Sequence, residues 1–144
     1  SKDCDDMYRQ MKSIYARGNI LIKKFSICDT DVKSKLFKSY CSSFYCSPLW
    51  SSYSTLSFKK LQTSYNRMFR LFFKLEKQCS ISAMCLTYNV DSMRVLLRKA
   101  VYSFRNRILN CDNVLVQSIT RSCFFLTCKL TQNWNKILFS LMDP

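Results

Sequence analysis

Apolar residues recur along this chain at intervals of three and four, and polar residues fill the positions between. From about Asp5 to Cys28 the apolar set is Met7, Met11, Ile14, Gly18, Leu21, Ile22 and Phe25, the one-sided stripe of an amphipathic helix. A second helix is predicted over about Thr30 to Cys46, with Val32, Leu36, Phe37, Tyr40, Cys41 and Phe44 inward. Pro48 ends or kinks it. A third runs from about Thr55 to Leu75 on Phe58, Leu61, Tyr65, Met68, Phe69 and Phe72. A short helix over Ser82 to Tyr88 follows, then a long one over Asp91 to Asn110 carrying Leu96, Leu97, Ala100, Val101, Phe104 and Ile108. Beyond Cys111 the period weakens. There "NVLVQSI" and "WNKILFSLM" read as short helices around an ill-defined "RSCFFLTC".

The expected architecture is therefore all-α, a bundle of about five to seven helices. It is expected as a domain over 1–110 and a helical extension over 111–144 packed on it. One Gly and two Pro in 144 residues leave little turn chemistry for hairpins or crossovers. The single Gly18 falls on the apolar stripe of the first helix, where a glycine costs ~1 kcal/mol against alanine, so a close approach by another element is expected there.

The stretch "SYCSSFYCSPLWSSYSTLSF", Ser39 to Phe58, contains no charge. Its length would suit a membrane span, but its eight serines, Thr55 and Pro48 are too polar for lipid. It reads instead as the end of one buried helix and the approach to the next. No signal or lipidation pattern is present, which makes an intracellular protein the expectation, and a first residue of Ser hints at a fragment.

Charge changes the picture more than composition does. There are 23 Lys and Arg against nine Asp and Glu, a formal net charge of +14. Seven of the acids, Asp3, Asp5, Asp6, Asp29, Asp31, Asp91 and Asp112, stand at predicted helix starts, where carboxylates cap orphan N–H groups and meet the positive dipole end. Glu76 is the one glutamate, so the i,i+4 Glu–Lys pairing of ordinary helix surfaces is missing. At about 100° per residue, Lys59, Lys60, Arg67, Arg70, Lys74 and the trailing Lys77 fall within an arc of about 100° opposite the core stripe. On the first helix Arg9, Lys12, Lys23 and Lys24 face away from the core, with Arg17 at the edge. On the fifth, Arg94, Arg98 and Arg105 group together. Unneutralised basic faces on three helices call for a polyanion, and contact with a phosphate backbone needs only dense Lys and Arg along a surface. Arg17, Lys23, Lys24, Lys59, Lys60, Arg67, Arg70, Lys74 and Lys77 are the candidate binding residues.

Catalytic chemistry finds no support. The chain has no His, so the usual general base is missing, and no P-loop, GxSxG or GxGxxG occurs. Nine cysteines without a CxxC pair read as reduced, mostly buried thiols. Cys41-x4-Cys46 and Cys123-x4-Cys128 are weak metal half-sites at best, and no metal or other cofactor is expected.

The run "IYARGNILIKKFSICDTDVKSKLFKSYCSSFYCSPLW" resembles the thumb and C-terminal region of reverse transcriptases of non-LTR retrotransposons of the jockey/LINE-like type, where the pattern is "LYARGNxLxxKFxxCxxDVKxxLFxxYCxxxYCxxLW". The likeness continues through "KLQTSYNRMFRLFF", "SIS" and "LLRKAVYSFRNRI", from about Asp5 to Ile108. "LEKQ" stands where the family pattern has Pro-Arg, and the tail past Asn113 is only loosely similar. The resemblance implies a helical thumb that grips an RNA–DNA template–primer duplex beside the remainder of the polymerase. It also implies that Mg²⁺ and the catalytic aspartates belong to a palm upstream, outside this chain, so the chain by itself would be no enzyme. A degenerate or co-opted remnant would carry the same signature. Two other readings are open: a secreted, basic four-helix signalling protein, which would need disulfides, and a helical interaction domain whose basic face meets an acidic protein, which duplex competition would reveal.

Overall fold

The computed structural model describes residues 2–139. Among them there is no strand. The helices are α1 (Lys2–Phe25), α2 (Thr30–Cys41), α3 (Thr55–Phe73), α4 (Ile81–Thr87), α5 (Met93–Leu109), α6 (Val114–Thr120), α7 (Cys123–Thr127) and α8 (Lys129–Phe139), with a 3₁₀ turn at Ser47–Leu49. The fold is all-α, as the periodicity requires. The expected helix "WNKILFSLM" is found as the later part of α8, and its residues beyond 139 lie outside the described residues. The segment "CFFLT", expected to be irregular, is the short helix α7.

The described residues divide into two compact units: one holds those up to Tyr45 together with Tyr53–Met93, the other Cys46–Ser52 and those from Arg94 onward. The boundary expected at 110/111 thus falls inside the second unit. The first helix, second helix and third helix pack on one another in the first unit, α1 against α3 most extensively. Its core holds Met7, Ile14 and Leu21 from α1, Phe37 and Cys41 from α2, and Leu61, Tyr65, Met68, Phe69 and Phe72 from α3. Phe37 is the hub. Its ring stacks on Phe69 at 5.0 Å and lies 5.4 Å from Tyr65, contacts worth ~1 kcal/mol each beyond the area they bury.

At Gly18, α1 is closely approached by Met68 of α3. A methyl group added there would run into the terminal methyl of Met68, and would stand 3.3 Å from its Cγ and 3.4 Å from its Sδ. The glycine that weakens α1 locally is thus what lets the Met68 side chain lie against its backbone. Tyr65 keeps its buried hydroxyl satisfied by donating to the Asp91 carbonyl at 2.9 Å, and burial raises it above the ordinary phenol range.

Two sequence expectations need correction. The second helix stops at Cys41, not Cys46: the Ser42 hydroxyl pairs with that of Tyr65, Arg17 donates to the Tyr40 carbonyl and the Ser43 hydroxyl, and Cys46 takes a left-handed φ of 58°. Val32 and Tyr40, expected inside, are exposed. Capping is the second. Asp29 is the N-cap of α2 but makes no side-chain cap hydrogen bond; Ser54 caps α3 through its side chain, as do Asn113, beside the expected Asp112, on α6 and Ser122 on α7. Asp3, Asp5 and Asp31 sit in first turns, where their charge meets the helix dipole.

In the second unit the Trp134 indole is fully buried and donates from Nε1 to the Pro48 carbonyl at 2.6 Å. Asn133 donates to the Trp50 carbonyl at 2.6 Å. The rings of Phe104 and Phe125 meet Trp134 edge-on at 5.9 and 6.1 Å. The uncharged stretch around Pro48 therefore contributes a 3₁₀ turn that α8 holds from behind, and the turn's carbonyls find their donors in adjacent residues of one helix.

Candidate nucleic-acid interface

All nine candidate binding residues lie in the first unit, and the structure sorts them into two groups. Lys23, Lys24, Lys59, Lys60, Arg67, Lys74 and Lys77 are exposed. Among the described residues none of these seven is ion-paired with a carboxylate. On α3 the buried Leu61, Ser64, Tyr65 and Met68 fix the rotation of the helix, which leaves Lys59, Lys60, Thr63 and Arg67 outward. From Lys59 to Arg67 is about 12 Å of helix axis at about 1.5 Å per residue. A duplex carries one phosphate per ~1.7 Å of its own axis, so this short face is long enough to meet several phosphates without any sequence-reading side chain.

Arg17 and Arg70 belong to the second group. The Arg17 guanidinium donates from Nη1 to the Tyr40 carbonyl at 2.8 Å and to the Ser43 hydroxyl at 3.0 Å, and from Nε to the Ser13 hydroxyl at 2.9 Å. It therefore places a cation and donors at the C-terminal end of α2, where carbonyls lack helical partners and the dipole is negative. Its nearness also pulls against the burial that pushes the Cys41 thiol up to about 11. Arg70 is half-buried and donates from Nη2 to the Cys79 carbonyl at 3.0 Å, while its Nε is buried without a partner. Both arginines hold the chain's own carbonyls, so the outward cationic faces consist mainly of lysines and Arg67.

Lys74 leaves the helix. Its φ of 56° is left-handed, and the Leu75 N–H bonds back to the Arg70 carbonyl at 2.9 Å, the six-to-one closure of a Schellman-type C-terminus that ordinarily uses glycine. Lys74 and Lys77 thus stand on the turn after α3, with the exposed Glu76 between them. Lys33 on α2 is also engaged, its Nζ lying 5.8 Å from the centroid of the Phe72 ring. The Ser13–Arg17 spacing of four was visible in the sequence; the carbonyls that Arg17 and Arg70 reach were not, since nothing local encodes a partner 23 residues away.

Other chemistry is sparse. Among the described residues no group of three or more Cys, Asp or Glu could hold a metal ion. No disulfide joins any of the nine cysteines. No described helix is long and apolar enough to cross a membrane. Compared with protein families, curated proteins and solved structures, the chain matches none.

Proposed function

We propose that this chain is a non-catalytic, thumb-like module of an RNA-directed DNA polymerase of the non-LTR retrotransposon type, and that it grips the template–primer duplex through the outward faces of α1 and α3. The observation that carries the reading is the row Lys59, Lys60 and Arg67, exposed and without carboxylate partners on a helix whose opposite face is locked into the core. Such a face attracts phosphate by charge alone and releases counterions on binding, so it favours duplexes without regard to sequence. The sequence likeness from about Asp5 to Ile108 supplies the polymerase context. Nucleotide transfer with Mg²⁺ would then belong to carboxylates outside this chain, and the partner would be the remainder of the polymerase together with the RNA–DNA hybrid.

The test is competition. A labelled RNA–DNA hybrid bound to the purified chain should be displaced equally well by unlabelled hybrids of unrelated sequence, and with Mg²⁺ and nucleotides the chain should extend no primer. Failure to bind the hybrid, with tight binding to an acidic polypeptide, would favour the protein-interaction reading instead. Extension of a primer would overturn the non-catalytic assignment.

A further inference from the structure

Within the second unit, α5 and the end of α8 border an open, shallow cleft of about 360 Å³ lined by Arg98, Lys99, Tyr102, Arg105, Leu138 and Phe139. Among the described residues its lining holds three cations, two aromatic rings and no carboxylate. Arg98 is positioned from below, donating from Nε to the Ile137 carbonyl at 3.2 Å. Tyr102 and Phe139, 59% and 68% exposed, present ring surface that the fold does not cover, although α5 and α8 bury other apolar residues, Val101 and Trp134, completely.

We infer that this cleft takes one unpaired nucleotide of a single-stranded nucleic acid, its phosphate beside Arg105 and its base against Tyr102 and Phe139. The volume suits a single small ligand and is far too small for a duplex. A nucleotide unites the two features that the lining offers separately, an anion and a flat apolar ring, within one side chain's reach. Sequence-tolerant binders of single strands use this combination of cations for the backbone and aromatic platforms for the bases. An acidic peptide would satisfy the cations and leave both rings wet. The inference does not rest on duplex binding by α3, since it uses different residues in a different unit.

The test compares a fluorescein-labelled oligothymidylate with an abasic deoxyribose-phosphate oligomer of the same length, each titrated against the whole chain. The wild type should prefer the oligothymidylate by on the order of tenfold, the contribution of base stacking. Tyr102→Ala and Phe139→Ala should each erode that preference, while Arg105→Gln should weaken both oligomers. Equal affinity of the wild type for the two oligomers would overturn the inference, as would a preference that survives both ring substitutions. Should either ring variant melt early, photocrosslinking of a 5-iodouracil oligomer to the wild type decides: adducts on Tyr102 or Phe139 support the site, and adducts confined elsewhere refute it. Loss of hybrid binding on charge reversal of α3, with the oligothymidylate preference intact, would separate this site from the duplex interface.

Discussion

The Arg70 guanidinium donates to the Cys79 carbonyl across the turn that follows α3, so a residue that helical spacing assigns to the binding face works as a brace. Arg70→Ala should therefore cost stability, on the order of 1–3 kcal/mol for a half-buried carbonyl left without its charged donor, whereas the exposed Arg67→Ala should change stability by less than about 0.5 kcal/mol. Chemical denaturation of the two variants checks this. Equal destabilisation would mean that the brace contributes nothing.

Lys74 holds a left-handed conformation that costs an L-residue roughly 1 kcal/mol and glycine almost nothing. Lys74→Gly should accordingly raise the melting temperature or leave it unchanged, although a charge is lost, and Lys74→Ala should not raise it. A lower melting temperature for the glycine variant would show that the lysine side chain stabilises the turn by some other contact.

Gly18 gives a steric prediction. In Gly18→Ala the collision is with the mobile end of Met68, which can turn aside, and the better helix propensity of alanine offsets part of the strain. Gly18→Leu cannot be accommodated in this way and should destabilise by about 2 kcal/mol or more. Thermal melts of the pair, with Met68→Ala as a relieving second substitution for the leucine variant, read the contact directly.

The buried Cys41 thiol makes stability depend on pH. Burial raises it from the ordinary 9.0 to about 11, so the unfolded chain loses this proton at lower pH than the folded chain does. The contribution is present in full below the ordinary thiol range and is lost as pH rises towards the folded value. Between pH ~8 and ~10.5 the wild type should lose on the order of 2 kcal/mol relative to Cys41→Ala. Parallel denaturation curves across that range would contradict it. Cys128, lowered by its hydrogen bonds with Thr131, should meanwhile react with a thiol reagent well before Cys41 does.

How far the sequence revealed this fold depended on how local each cause was. Met7, Ile14 and Leu21 share one helical face and are buried together, so periodicity sufficed for α1, as it did for Leu61, Tyr65, Met68 and Phe72 on α3. Gly18 was legible because a lone glycine on an apolar stripe needs a packing reason. The end of α2 was not, since a serine run tolerates either continuation or release and the groups that engage it, Arg17 and Tyr65, come from other helices. Capping at Asp29 and Asp112 was not legible for a related reason: aspartate beside a helix start serves the dipole as well as the cap, and Asn113, next to Asp112, is the residue whose side chain bonds to the first-turn amides. On the binding face the charges were legible and their engagements were not. Composition places a guanidinium on a surface, but only the fold shows that Arg17 and Arg70 spend theirs on carbonyls.

Salt dependence bears most directly on the grip of α3. Lys59→Glu, Lys60→Glu and Arg67→Glu should be combined, which leaves Arg17, Arg70 and Lys74 in their structural places, and the variant and wild type titrated against one labelled RNA–DNA hybrid at several salt concentrations. The wild type should lose affinity with salt at a log–log slope of roughly −0.9 per phosphate contacted. The variant, with unchanged helicity, should bind more weakly at every concentration, with a slope shallower by roughly 2 to 3. A variant that remains folded and binds with the affinity and slope of the wild type would contradict the assignment of α3 as the surface that meets the duplex.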